Sequence, residues 1–190
     1  MATAWIETGD CFDALRGGGV NGLILIRSSV ADDLASIQAI YAHWVLNGVS
    51  SFEIDAPDAA EMARRRNAVI EAGLPHIVAV TELGQVVGYA YAMLYRPRAA
   101  YRFTVEDSIY IAPEFAGQGL GRRLLEQVIA QCREAGYRQM IAVIGGGLEN
   151  AGSVKLHEGC GFRLVGILQA VGYKCDRWVD TAILQLALCI

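Results

Sequence analysis

With 190 residues, 54% of them hydrophobic, and a formal net charge of -4, the chain is sized for one domain with a sizeable core and carries no electrostatic footprint for nucleic acid. No apolar run reaches the ~20 residues of a membrane span, and the first ten residues lack the basic start and apolar stretch of a secretory signal. The five cysteines (Cys11, Cys132, Cys160, Cys175, Cys189) are odd in number, widely spaced and free of any C-x-x-C pair, which argues for reduced thiols in a cytoplasmic protein and against a zinc or redox centre.

Residues 1–22 end in Arg-Gly-Gly-Gly-Val-Asn-Gly and read as an extension with a flexible linker, so the domain is expected over 23–190. Leu23 to Arg27 suits a strand, and Val30 to Leu46 carries Leu34, Ile37, Tyr41, Trp44 and Val45 at helical spacing. A second helix should start at the N-cap Asp58 and stop at Gly73 before Pro75. Its Arg64-Arg65-Arg66 triplet reads as a solvated face. The period then changes to two: Ile77 to Glu82 and Val86 to Leu94 flank the hairpin signal Leu-Gly-Gln, and Ala100 to Ala112 forms a third strand. Leu120 to Ala135 is amphipathic, with Leu124, Leu125, Val128, Ile129 and Cys132 on one face and Gly136 at its end. Met140 to Ile144 reads as a strand buried on both faces, Asn150 to Glu158 as a helix stopped by Gly159, and Phe162 to Val171 and Trp178 to Leu188 as two closing strands. This order predicts a mixed α/β sheet covered by helices.

Three places carry chemistry. Gly117, Gly119 and Gly121 lie between a strand and a helix, where backbone N–H groups and the positive helix end favour an anion such as a pyrophosphate. A P-loop is disfavoured because Arg122-Arg123 follows in place of Lys-Ser/Thr, and a dinucleotide fingerprint because Leu124 stands where its last glycine belongs. On the preceding strand, alternation sets Tyr101, Phe103, Val105, Ile109 and Ile111 on one face, broken only by Asp107, and Glu106 on the other. Eleven residues before the anion turn, Glu106 is placed to act as a base for an amine, and partial burial would raise its pKa. Asn150, Ser153 and His157 form one helical stripe; with no G-x-S-x-G elbow, a hydrolase triad has little support. His43 and His76 read as packing or surface groups. Arg96 and Arg98, just before the Glu106 strand, are suited to an anionic substrate.

Together these pieces resemble the GNAT superfamily of acyl-CoA-dependent N-acetyltransferases, in particular its phosphinothricin and methionine sulfoximine acetyltransferase branch. The likeness runs from about Leu23 to Gln185. It rests on Ala100-Tyr101-x-x-Thr104-Val105-Glu106, the glycine turn, Val143-Ile144-Gly145, Asn150-x-x-Ser153-x-x-Leu156-His157-Glu158, and Val171-Gly172-Tyr173-Lys174 with Trp178.

The resemblance implies a central, mostly antiparallel, twisted sheet of six to seven strands flanked by four helices. It implies acetyl-CoA as cosubstrate and no metal, with the pyrophosphate on the amides of Gly117, Gln118, Gly119, Leu120, Gly121 and Arg122, although Ala116 replaces the usual Gln or Arg. Ile109, Tyr110, Ile111, Asn150 and Ser153 would meet the pantetheine arm, and a backbone N–H at the splayed end of Ile109 to Ile111 would stabilise an oxyanion. Glu106 would be the general base and His157 a second catalytic residue, while Phe52, Arg96, Arg98, Tyr101 and Tyr110 would form the amino-acid pocket. A homodimer through the C-terminal portion is implied as well. The expected reaction is acetylation of the α-amine of a small amino acid or analogue. A peptide N-terminus, a polyamine or a non-catalytic acyl-CoA sensor are the alternatives.

Overall fold

Seven strands form one open sheet in the order β1-β2-β3-β4-β5-β7-β6, in a computed structural model that describes residues 23–188. The expected extension and linker over 1–22 lie outside the described residues. The strands are β1 (Ile24–Ser28), β2 (His76–Thr81), β3 (Val86–Leu94), β4 (Thr104–Ile111), β5 (Gln139–Gly145), β6 (Arg163–Lys174) and β7 (Arg177–Ala187). Four helices accompany them: α1 (Leu34–Asn47), α2 (Ala59–Glu71), α3 (Leu120–Glu134) and α4 (Ala151–Gly159).

Local chemistry explains most of these boundaries. The Asp58 carboxylate accepts from the Glu61 amide at 2.8 Å and starts α2, and Gly73 follows the helix at φ 70°. Short turns make hairpins, and hairpins make antiparallel pairs: Gly84 turns β2 into β3 at φ 81°, and Cys175-Asp176, both at positive φ, turn β6 into β7. Only β4 and β5 pair in parallel, because the connection between them is the crossover helix α3. The apolar stripe of α3 is the expected one, with Leu124, Leu125, Val128 and Cys132 fully buried against the sheet.

Two expectations are corrected. The third strand begins at Thr104, not Ala100: the Tyr95 amide bonds the Thr104 carbonyl at 3.1 Å and closes the hairpin, so residues 96–103 form a loop with a 3-10 turn at Ala99–Tyr101. Tyr101 and Phe103 are therefore exposed loop residues and belong to no strand face. The arginine triplet is also more than a solvated face. Arg64 pairs with Glu61, Arg65 with Glu53 and Glu61, and the Arg66 Nε donates to Ser29 Oγ at 2.7 Å, which ties α2 to the end of β1.

Candidate active site

The site follows from a ladder that stops early. Parallel pairing of β4 and β5 covers only Thr104↔Gln139, Val105↔Met140 and Glu106↔Ile141. Beyond Glu106 the two strands part, while β4 stays paired with β3 as far as Ile111. Residues 107–111 and 142–145 become opposite walls of a cavity of about 430 Å³, closed by the 115–121 turn and the start of α4. Over that stretch β4 has no ladder partner in β5, and extended backbone with unpaired polar groups is suited to a ligand that carries amides. The Ile111 carbonyl already accepts from the Trp44 indole at 2.8 Å.

The glycine turn forms one end of this cavity. Gly117 and Gly119 adopt φ of 75° and 79°, and a side chain on either would meet nothing within 4 Å, so the backbone lies open to the cavity. Gly119 caps the 15-residue α3, whose first amides lack intrahelical partners. Gly121 differs from the sequence reading, since it lies within α3 with no positive φ. A Cβ there would come within 3.2 Å of Leu156, so its smallness lets α3 and α4 approach. Arg122, at the cavity edge, donates to Glu126 at 2.8 Å and to the Gly159 carbonyl at 3.0 Å.

Glu106 sits at the apex of the fork, half-buried, across from Met93 on β3 and Ile141 on β5. Burial raises its pKa, the neighbouring Asp107 raises it further, and the Arg96 guanidinium opposes both. Arg96 lies over the Tyr95 ring at 4.9 Å and, like Arg98 and Tyr101, is exposed in the loop; these three, Glu106 and Phe52 are outside the cavity lining, which Tyr110 joins. The Tyr110 ring joins a row on the sheet face below α1, stacked on Tyr89 at 5.3 Å and edge-on to Tyr41 at 4.9 Å. His76 continues the row beside Tyr91, and burial lowers its pKa to about 4, so it is a packing group as expected.

Asp107 is the residue the sequence reading passed over. Its break in the apolar stripe of β4 was the available signal; its partner lies fifty residues away. Asp107 Oδ2 is 3.0 Å from His157 Nε2, and both side chains are buried. His157 Nδ1 is 2.7 Å from the Ser153 carbonyl oxygen, which can only accept, so that nitrogen carries a proton. Burial pulls the His157 pKa down, but the Asp107 hydrogen bond and charge and the Ser153 carbonyl outweigh it, and the net shift is upward. The ring is thereby held between two acceptors. Asn150 is occupied too: its Oδ1 accepts from the Ser153 amide at 3.4 Å to cap α4, and its Nδ2 donates to the Gly145 carbonyl at 3.1 Å.

Residues 37–162 match the Acetyltransferase (GNAT) family. The chain belongs to the GNAT acetyltransferase family. It is 52% identical over 157 residues to a phosphinothricin N-acetyltransferase from Alcaligenes faecalis, an alignment covering 83% of this chain and 79% of that protein. It is 37% identical to an L-methionine sulfoximine/L-methionine sulfone acetyltransferase from Pseudomonas paraeruginosa, over 86% of this chain and 94% of that one. Among solved structures it resembles a GNAT superfamily phosphinothricin acetyltransferase from Sinorhizobium meliloti in complex with AcCoA, with a TM-score of 0.84, 48% identity, and coverage of 86% and 88% of the two chains. As a GNAT enzyme it is an acyl-CoA-dependent N-acetyltransferase whose cosubstrate is acetyl-CoA.

The residues present fit that cosubstrate. The open amides at Gly117 and Gly119 ahead of α3 suit a pyrophosphate, and the unpaired run of β4 suits an amide-bearing arm. Ala116 offers no polar side chain there, so the backbone supplies the seat. A Gly119→Val change, which strains a left-handed position by about 1–2 kcal/mol, should raise the acetyl-CoA KM by about tenfold. Initial rates at saturating amine check this.

Proposed function

We propose that the enzyme transfers an acetyl group from acetyl-CoA directly to the α-amine of a small amino acid or analogue of the phosphinothricin, methionine sulfoximine or methionine sulfone type, with Glu106 as general base. The observation that carries this reading is the position of Glu106, half-buried where β4 and β5 part, with its basicity raised by burial and by Asp107. An α-amine is mostly protonated at neutral pH and cannot attack a thioester in that form. Glu106 takes that proton, directly or through one water. Attack of the free amine on the thioester carbonyl forms the amide bond and breaks the C–S bond, and the departing coenzyme A thiolate takes up the second proton that the nitrogen sheds. Arg96, near enough to Glu106 to affect its charge, and Arg98 in the same loop hold the anionic or oxidised side group of the substrate. In this scheme Phe52, packed against Gly145 and Gly172, borders the amine, and Tyr110 lines the wall shared with the cosubstrate.

His157 has a different part in this scheme from an acid that protonates the thiolate. Both ring nitrogens already face protein acceptors, so it serves as an anchor, positioned by Asp107. The relatives' names support the substrate class. A thiol-release assay with acetyl-CoA against phosphinothricin, methionine sulfoximine, methionine sulfone and ordinary amino acids tests the reading. Turnover is expected with the oxidised or anionic analogues, and none with any of the four groups would overturn it.

The same reading includes a cytoplasmic homodimer. Its support is the edge strand β6 with β7, where Leu164, Val165, Leu168, Val171, Tyr173 and Trp178 are all exposed. Light scattering should return twice the 20.5 kDa chain mass. Among the described residues Cys132, Cys160 and Cys175 are free thiols, which supports the cytoplasmic assignment. No described helix is long and apolar enough to cross a membrane.

A further inference from the structure

Lys174, in the closing Gly-Tyr-Lys motif of β6, has no part in the chemistry above, yet its side chain is buried. Its ammonium donates to the Val45 carbonyl and to the Ser51 carbonyl, each at 2.7 Å. Val45 lies in the last turn of α1, where carbonyls lack helical partners and the helix dipole is negative. Ser51 belongs to the loop of residues 48–58 between α1 and α2. One cation thus joins a helix end, a loop and the far strand of the sheet, positions more than 120 residues apart in sequence.

The loop is seated on the sheet by two glycines. A Cβ on Gly172 would overlap the Phe52 ring, at 2.6 Å from Cδ2 and 2.8 Å from Cζ. A Cβ on Gly145 would strike the Val49 carbonyl oxygen and come within 3.0 Å of the Ser50 oxygen and 3.2 Å of Phe52 Cε1. Gly145 also lines the cavity between β4 and β5, so Phe52 lies beside the cavity wall. On its other side the loop is held by Tyr41, whose hydroxyl lies 3.0 Å from Ser51 Oγ and donates to Glu53 at 3.0 Å, and by the Arg65–Glu53 ion pair at 2.6 Å.

We propose that Lys174 is a positioning residue for the amine substrate: it fixes the 48–58 loop onto β6 and β5 and so sets where the Phe52 ring stands at the amine side of the site. The inference rests on the assignment of Phe52 to the amine pocket. Lys174 lies outside the cavity lining, and the anion seat at 117–121 lies on other elements, while Ser50 of the 48–58 loop lines the cavity wall. Loss of Lys174 therefore acts mainly on the amine and spares the anion seat.

Lys174→Met keeps the length and apolar stem of the side chain and removes both hydrogen bonds. In that variant the KM for the amine should rise about tenfold or more, since misplacement on the scale of 1 Å is costly in binding and rate. The acetyl-CoA KM should stay within about twofold. Backbone hydrogen exchange at residues 48–53, measured without substrate, should speed up. Gly172→Ala, which displaces Phe52 and leaves the Lys174 bonds in place, should reproduce the KM pattern, and it serves as the test if Lys174→Met does not fold. Faster exchange with an unchanged amine KM overturns the proposal and leaves acetyl transfer standing. Equal rises in both KM values, or unchanged exchange, overturn it as well. A wild-type protein that acetylates no amine overturns the reading beneath it, and this proposal with it.

Discussion

Glu106→Gln should lower kcat/KM for the amine by about 10²–10⁴-fold, the range of a lost general base, while acetyl-CoA binding stays unchanged. The substitution keeps the shape of the side chain and its place at the fork, so a loss confined to turnover isolates the proton transfer. Steady-state kinetics with a separate calorimetric titration of acetyl-CoA make the distinction. Retained turnover would mean that another group, or solvent, takes the proton. It would leave the family and its cosubstrate untouched.

The pH dependence carries a sign. As the proposed general base, Glu106 has to be unprotonated to act, so kcat/KM should fall as pH drops through its pKa. Burial and Asp107 place that acid limb above the ordinary glutamate range. Arg96 opposes them, so Arg96→Gln should move the limb to higher pH, and Asp107→Asn to lower pH. Shifts in the opposite directions would detach Glu106 from the profile.

The second large effect is on stability. Asp107→Ala removes the only side-chain acceptor of His157 Nε2 among the described residues, and breaking a buried ion pair by deleting one partner costs about 3–5 kcal/mol. For a chain of this size that lowers the melting temperature by on the order of 10 °C. The folded-state pKa of His157 lies above its unfolded value, so the stability gained from the charged imidazole is fully present below the unfolded pKa and lost as pH rises through the folded one. The gap between wild type and variant should therefore narrow from mildly acidic to alkaline pH. Denaturant titrations at both ends test it, and a gap independent of pH would show that His157 is held neutral.

The element order was legible because its signals are local. Period-two alternation, the α3 stripe, the Asp58 cap and the turn at 83–85 each lie within a few residues of what they specify. The start of β4 was not. Tyr101 and Phe103 continue the alternation by identity, and only the bond from the Tyr95 amide to Thr104 excludes them from the strand. Gly121 shows the same limit: three glycines two apart look alike on paper. Two turn the backbone into the left-handed region, and the third makes room for Leu156 on another helix.

The sequence by itself determined the alternation of strands and helices, a glycine turn able to seat an anion, and a carboxylate on the strand leading into it. These depend on backbone sterics and periodicity, which act over single turns of chain. Tertiary structure alone decided that β4 and β5 part at Glu106, that Asp107 meets the His157 ring, and that Lys174 bonds carbonyls of α1 and its following loop. Each of these is a contact between segments far apart in the chain. The free energy of a buried charge depends on which acceptors surround it, and folding determines which they are.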